Sequence, residues 1–401
     1  MASGLGRDLA AEALERVLDR SPTQVLDALQ EGLAARVIVE VPGSPGRFRF
    51  SHSLIRETLY EELATAERVR LHRTAGESLK ALYASDEEPY LAELAHHFFE
   101  AAPGGDVDKA VDYARRGGER ALALLAYEDA ARLFRMALTA LQRSPDEEVR
   151  CLLLLALGDA LARAGETLAA QQTFLEAAAT ATRLNRPELL ARAAVGYGGR
   201  FVFARAGTDP HLIPLLEQAL AALGPGDSNV RVLVLSRLAG ALRDQPSFER
   251  RDALSREAVD MARRIGDPEM LMHALSGRAG VTLRADGLDE QLALADELSR
   301  VAQEVGDRER LMDACWIRFA HFMVEGEVAE ARAQLEMGSR LADEVGQPSQ
   351  RWMANMLATC LALQDGRLTE AENLIEGTHQ LGRVDPDLPL PLDSGLASTE
   401  P

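Results

Sequence analysis

The sequence predicts a mainly α-helical chain in which a small helix-and-hairpin module precedes an α-solenoid of stacked helix pairs. Residues Gly118, Ala130, Phe134 and Ala137 recur 40 positions later as Gly158, Ala170, Phe174 and Ala177, and Gly226, Gly266, Gly306 and Gly346 keep the same spacing. A helix pair of that length cannot bury its apolar stripe alone, so neighbouring copies must stack on one another. The 401 residues are 47% hydrophobic but only 5% aromatic. That composition favours many small helices over sheets built on large rings, and the length exceeds one ordinary core. The hairpin signal is confined to the N-terminal region, where the β-branched run Val37 to Val41 and the alternating run Arg47 to Phe50 flank Pro42-Gly43-Ser44-Pro45-Gly46.

Taken in order, Ser21-Pro22-Thr23-Gln24 reads as an N-cap, a proline at the first helical position and a capping-box glutamine. The amphipathic helix that follows runs through Val25, Leu26, Leu29 and Leu33 to about Arg36. Helix, helix and hairpin in that order give a winged helix, assigned to residues 1–64. Ser51 is expected to cap the next helix, which places His52 at its first helical position and Arg56 four residues on, on the same face. Free backbone N–H groups and the positive end of the dipole favour a negative group there, making His52 and Arg56 a candidate anion sensor. The alternative is that His52 simply caps and packs the helix. Many winged helices read DNA through their second or third helix, but the one in that position here carries Asp27, Glu31 and a terminal Arg36 and would repel phosphate. Direct nucleic-acid binding is therefore not expected.

Residues 65–105 read as connecting helices with two apolar stripes, Leu63, Val69, Leu71, Leu79 and Leu82, then Leu91, Leu94, Ala95, Phe98 and Phe99. His96 and His97 are adjacent and point to different faces, so the expectation is one packed and one wet, with His72 standing alone. Residues 106–384 form the repeat array. Gly226, Gly266, Gly306 and Gly346 sit where helices end, and Asp227, Asp267, Asp307 and Gln347 where the next begin. Gly240, Gly280, Ala320 and Cys360 keep a small residue at one spot in the first helix of each pair. A HEAT-like array fits the period but not these small residues. The rhythm breaks at Gly196 to Pro210, where Arg200, Phe201, Phe203 and Arg205 are candidates to line a ligand or partner groove. The alternative is a lengthened turn whose aromatics fill the gap between repeats. Residues 385–401 are proline-rich and polar without periodicity, and are expected to be a disordered tail or a linker.

Composition excludes several functions. The chain has 44 basic and 63 acidic residues, a net charge of −19, which argues against nonspecific binding to nucleic acid or an anionic membrane. Lys80 and Lys109 are its only lysines, so a phosphate-binding loop is absent, as are Gly-x-Ser-x-Gly and His-Glu-x-x-His. The paired acids Asp106 with Asp108, and Glu87 with Glu88, lie beside turns, where they cap helices and solvate the surface. No catalytic centre, metal site or cofactor of its own is expected. Cys151, Cys315 and Cys360 are far apart in apolar helical patterns, which suits buried thiols in a reducing cytoplasm. The longest apolar run, Cys151 to Leu157, is far short of the roughly 20 residues a membrane helix needs.

The run Phe50-Ser51-His52-Ser53-Leu54-Ile55-Arg56 resembles the winged-helix histidine motif of STAND-class signalling ATPases, and Ala2 to Asp8 is similar to the start of that module in bacterial members. The resemblance implies that His52 touches the phosphates of ADP held on a preceding NTPase domain and keeps the protein off, with Arg56 in a lesser role. Ser53 departs from the family, which usually has an acidic residue there. Because the chain has no NTPase domain, the resemblance implies that it begins in mid-protein and that ADP or ATP enters only through an upstream domain. In the array, the spacing of glycine, alanine, phenylalanine and alanine resembles the tetratricopeptide repeat (TPR), at 40 residues instead of its usual length of about 34. The resemblance covers Ala2 to Leu381 and implies a non-catalytic regulatory and sensor region, with the solenoid binding an inducer or protein partner. Relatives with this arrangement resemble large LuxR-type regulators or cyclase-fused ATPases. The alternatives are a free-standing TPR scaffold without nucleotide dependence and a small DNA-binding regulator using the winged helix directly.

Overall fold

The computed structural model describes residues 8–10, 14, 21–44, 46–199, 209–244, 248–282 and 287–384. By contact the chain divides into two compact units, Met1–Asp146 and Glu147–Pro401.

In the first unit the capping box forms as read: the Ser21 hydroxyl accepts from the Gln24 amide, and the Gln24 side chain accepts from the Ser21 amide at 3.2 Å. Helix α1 follows over Pro22–Ala34. Strands β2 (Ile38–Glu40) and β3 (Arg47–Phe50) pair antiparallel across a turn that uses Gly43 and Gly46 at φ 77°. A further strand, β1 (Asp8–Ala10), pairs with the other edge of β3 and makes the order β1-β3-β2. The alternation in β3 sends Phe48 and Phe50 inward against Leu14, Val25, Leu29 and Ile38, while Arg47 is exposed.

Helix α2 spans Ser53–Glu61, so its N-cap is His52 and not Ser51. The displacement has a local cause. The Ser51 hydroxyl donates to the carbonyls of Arg36 and Val37 at 2.7 and 3.1 Å, tying it to the chain ahead of β2 and away from the helix amides. Helices α3 (Thr65–Leu82), α4 (Leu91–Ala101), α5 (Val107–Ala123) and α6 (Tyr127–Leu141) complete the unit. Asp106 is the N-cap of α5, as expected, but its side chain makes no cap hydrogen bond and instead pairs with Arg73 and Lys109. Burial pushes its carboxyl up, but those two cations outweigh burial and hold it below the usual range.

Among its described residues the second unit contains six helix pairs: α7 (Glu147–Ala164) with α8 (Thr167–Arg183), α9 (Pro187–Tyr197) with α10 (Leu212–Leu223), α11 (Asn229–Ala241) with α12 (Phe248–Ile265), α13 (Pro268–Val281) with α14 (Leu288–Val305), α15 (Arg308–Glu325) with α16 (Val328–Val345), and α17 (Pro348–Gln364) with α18 (Leu368–Val384). The repeat spacing has a steric meaning. A Cβ added at Gly118 would lie 2.7 Å from the ring of Phe134, and one at Gly158 would lie 2.7 Å from the ring of Phe174. Each glycine makes room for the phenylalanine of its partner helix. The seam is continuous because Phe174 also lies over Gly196 of the next pair, where an added Cβ would stand 2.3 Å away.

Gly266, Gly306 and Gly346 end their helices at φ 75°, 79° and 72°. Their amides donate to Ala262, Ala302 and Ala342, again 40 apart. Asp267 and Asp307 cap the following helices through their side chains, whereas Gln347 caps without a side-chain hydrogen bond. The first member of the series departs from the expectation. Because α10 stops at Leu223, the positive-φ residue is Gly224 at φ 71°, the N-cap is Ser228, and Asp227 pairs with Arg264 at 2.8 Å instead. Gly306→Ala is expected to cost about 1–2 kcal/mol, since a Cβ is disfavoured in that backbone conformation; a urea unfolding curve measures it, and a loss under 0.5 kcal/mol (roughly) would contradict the left-handed cap.

Cys151 and Cys315 are buried, and burial pushes the Cys315 thiol up to about 11. Cys360 is exposed, against the expectation of three buried thiols. At its repeat position Gly240 is buried, Gly280 and Ala320 are partly so, and exposure is greatest in the last described pair, on which no described successor packs. No helix among the described residues is long and apolar enough to cross a membrane.

Candidate functional site

The inner side of the second unit is identified by contacts between pairs far apart in sequence. Arg163, at the end of α7, pairs with Glu309 of α15 at 3.0 Å, and the Gln347 amide donates to the same carboxylate at 2.7 Å. An added Cβ at Gly165 would stand 3.5 Å from Pro348. The first pair therefore touches the fifth and sixth, and the array coils far enough for the first helices to meet across its interior. First helices line the inside.

Polar side chains from three successive first helices gather there. Arg237 of α11 donates to the carbonyls of Gly198 and Gly199 at the end of α9. Arg310 of α15 pairs with Asp313 at 2.6 Å and donates to Nδ1 of His273 on α13 at 3.1 Å. The Ser276 hydroxyl donates to the same Asp313 carboxylate at 3.4 Å. Burial pulls the Arg237 guanidinium down to about 10, with the charge of Arg310 acting in the same direction and Asp313 opposing it. Gln350, one turn into α17, is 1% exposed, and its side-chain oxygen has no hydrogen-bond partner among the described residues. A concavity between the second helices α12 and α14, reached by Arg278 of the first helix α13, contrasts with this. It has a volume of about 270 Å³ and is lined by Arg256, Arg263 and Arg278 against Asp260, Glu290 and Glu297. Its buried Arg278 is fully met by Asp252 and Glu290.

In the first unit His52 is exposed at the start of α2, its backbone extended at φ −139° and its side chain making no cap hydrogen bond. Arg56 lies in the same helix, with its side chain outside the described residues. Arg200, Phe201, Phe203 and Arg205 also lie outside the described residues. As expected, His97 is packed and His96 exposed. His72 does not stand alone. Its Nδ1 meets Nδ1 of His97 at 2.9 Å, its Nε2 meets the Tyr60 hydroxyl at 2.9 Å, and its ring lies 5.4 Å from that of His96. No group of three metal-ligating side chains is assembled among the described residues.

Sequence reasoning missed Arg237, His273, Arg310 and Asp313. The 40-residue period carries the signal for two of them, because His273 and Asp313 occupy a repeat position held by Leu233 and Met353 in the flanking pairs.

No protein-family model matches the sequence, and no curated protein matches it. Among solved structures the chain is similar to a Rap protein complexed with competence and sporulation factor, with a TM-score of 0.54 at 10% identity over 94% of this chain and 99% of that one. A STAND protein with a tetratricopeptide repeat sensor from Pyrococcus horikoshii gives a TM-score of 0.42 at 13% identity, over 94% of this chain and 61% of that one. Aspartyl phosphate phosphatase F from Bacillus subtilis gives 0.37 at 11%, over 92% and 90%. The likeness to the Rap protein establishes the class: the chain is a TPR-like α-solenoid of helical hairpins preceded by a small module that carries the sheet.

Proposed function

We propose that this chain is the non-catalytic regulatory and sensor region of a bacterial STAND-type signal-transduction ATPase working in the cytoplasm, in transcriptional or cyclase signalling. Residues 1–64 act as a winged-helix module that reads the nucleotide state of an upstream NTPase domain, and the helix array takes an inducer or protein partner on its inner side. The observation that carries this reading is His52. A histidine that merely packed its helix would be buried, and one that merely capped it would hold a backbone amide; His52 is exposed and makes no side-chain cap bond. The helix N-terminus it occupies is where backbone N–H groups receive phosphate oxygens. Support for a ligand role of the array comes from its inner polar cluster and from the complex of the similarly folded Rap protein with competence and sporulation factor. ADP or ATP enters this scheme only through the NTPase domain, and neither membrane nor nucleic acid is a direct partner.

The test uses the separately prepared NTPase domain loaded with ADP. Adding the wild-type chain is expected to slow nucleotide release, and His52→Ala to restore it by about ten-fold, the effect of losing roughly one charge-assisted hydrogen bond. Release unchanged by His52→Ala would remove His52 from the mechanism, and release unaffected by the wild-type chain would favour a free-standing scaffold.

A further inference from the structure

Two kinds of contact hold the second unit together, and they differ in strength. Successive pairs share apolar seams: one buried cluster runs from Val232 and Leu235 of α11 through Leu275 of α13 and Leu298 of α14 to Ile317 of α15. Burial of so many apolar side chains makes each seam costly to part. The closure of α7 onto α15 and α17 is of another kind. Among the described residues these helices share no extended packing, and they are joined by the Arg163–Glu309 pair, the Gln347 hydrogen bond to the same carboxylate and the approach of Gly165 to Pro348. The side chains of Arg163 and Glu309 are 27% and 20% exposed. Ion pairs that solvent reaches contribute little to stability and weaken with salt. The closure is therefore the first contact to give.

The same pair can part without stranding a charge. Arg163 has a second carboxylate one turn back in its own helix, Asp159 at 3.0 Å. Glu309 keeps the Gln347 amide, which lies on its own side of the closure. Each partner thus retains a contact when α7 moves away, whereas parting the buried Arg278 from Asp252 and Glu290 would leave a cation alone. The closed arrangement also holds the side-chain oxygen of Gln350, one turn into α17, without a hydrogen-bond partner among the described residues, and water reaching the start of α17 would supply the missing donor. We propose that Arg163, Glu309 and Gln347 form a latch at which the coiled array opens and closes, the seams between pairs staying intact. Helix α7 begins at Glu147, directly after the first unit ends at Asp146, so the latch controls the helix through which the two units are joined. This deepens the sensor reading of the array, since an inducer or partner that favours one state of the latch would move α7. Its test needs neither nucleotide nor an NTPase domain, so the role of His52 stands or falls separately.

The experiment places Gly165→Cys and Pro348→Cys in the full chain, with Cys360→Ser removing the exposed thiol. A Cβ at position 165 lies 3.7 Å from the Cβ of Pro348, inside the span of a disulfide. At equilibrium with glutathione, one glutathione disulfide oxidises the two protein thiols to one disulfide and leaves as two glutathione thiols. The equilibrium constant gives the effective concentration of one cysteine at the other, which follows the closed population. Strain from a cysteine at φ 86° is common to every variant and cancels in their ratios. Arg163→Glu, which sets like charges against each other, should lower the effective concentration by about five-fold, and Glu309→Arg added to it should bring the value back to within about two-fold of the parent. Raising the salt from about 0.1 to 1 M should lower the parent's value as well. Small-angle X-ray scattering of the same latch variants without the added cysteines is the second measure should Gly165→Cys fail to fold: the radius of gyration should rise in Arg163→Glu and return in the swapped pair. Circular dichroism shows whether the helices stay formed. Values that Arg163→Glu leaves unchanged by both measures would mean that the latch does not set the closure. A loss that the swap does not restore would remove the pairing, and loss of helix content in Arg163→Glu would mean that the coil does not open as a unit.

Discussion

Phe174→Ala is expected to destabilise the second unit by about 3–5 kcal/mol, the cost of deleting a buried ring and leaving its cavity. Phe174 is 4% exposed, and its ring occupies space left by two glycines on two different first helices, Gly158 of α7 and Gly196 of α9. Removing it empties both contacts at once. Collapse cannot refill the gap cheaply, because the facing positions have no side chains to move in, and the neighbours Ala170, Ala177 and Ala181 are buried and small. In urea the midpoint should fall by more than about 1 M for an m-value of 2–3 kcal/mol/M. Phe174→Leu, which keeps most of the volume, should lose less than half as much. A shift below about 1 kcal/mol for the alanine variant would mean that the two glycines mark something other than room for a ring.

The same pairing explains why the array could be read before its coordinates. A glycine and a phenylalanine that recur together, 16 positions apart in each copy from Gly118 to Phe134 and from Gly158 to Phe174, are two halves of one steric requirement. The helix ends at Gly266, Gly306 and Gly346 were readable for a similar reason, since a left-handed residue leaves glycine as the cheapest choice. Where the requirement relaxed, the reading slipped: α10 ends at Leu223, its cap is Gly224, two residues before the expected Gly226, and the next N-cap is Ser228, one residue after the expected Asp227. Strand β1 gave no signal because Asp8-Leu9-Ala10 is too short to show alternation, and it forms by filling the open edge of β3. The N-cap of α2 was misplaced by one because a serine hydroxyl has several possible acceptors, and Ser51 met the carbonyls of Arg36 and Val37.

Side-chain clusters were harder. Arg237, His273 and Arg310 belong to three successive first helices, and what brings them together is the stacking of each pair on the next. The 40-residue period marks His273 and Asp313, but Arg237 and Arg310 fall outside it. His96 and His97 could be sorted into wet and packed by helical geometry, but the partner of His97 is His72, 25 residues earlier on another helix. Its meeting with His72 depends on how α3 and α4 pack.

That histidine pair makes the first unit acid-labile in a defined window. Burial pulls His72 down to about 4, with the charges of His96 and Arg68 adding to the effect, and pulls His97 down to about 3, with His72 and His96 contributing. The two Nδ1 atoms share one hydrogen bond of 2.9 Å, which needs one donor and one acceptor, so both rings cannot carry a proton there. The Tyr60 hydroxyl faces the remaining nitrogen of His72 at 2.9 Å and offers no charge to compensate a second proton. Both imidazoles are therefore neutral in the folded unit at pH 5, while in the unfolded chain they take up protons below about 6.5. Because the unfolded state binds more protons, stability is complete above pH 6.5 and falls as the pH drops, each histidine contributing about 1.4 kcal/mol per pH unit. Between pH 7 and 5 the pair should lose about 4 kcal/mol, and the decline should level off only as the folded unit itself takes up protons, near pH 4 for His72 and pH 3 for His97. Most carboxylates titrate below this interval, which isolates the histidines. Hydrogen exchange of the α3 and α4 amides in the full chain, corrected for the intrinsic pH dependence, reads the opening free energy directly. His97→Leu should halve the slope by removing one titrating ring from a site that already excludes water. A slope that is flat between pH 7 and 5, or unchanged in His97→Leu, would mean that the buried pair already holds a proton in the folded state, with the hydrogen bond between the rings stabilising the charged form.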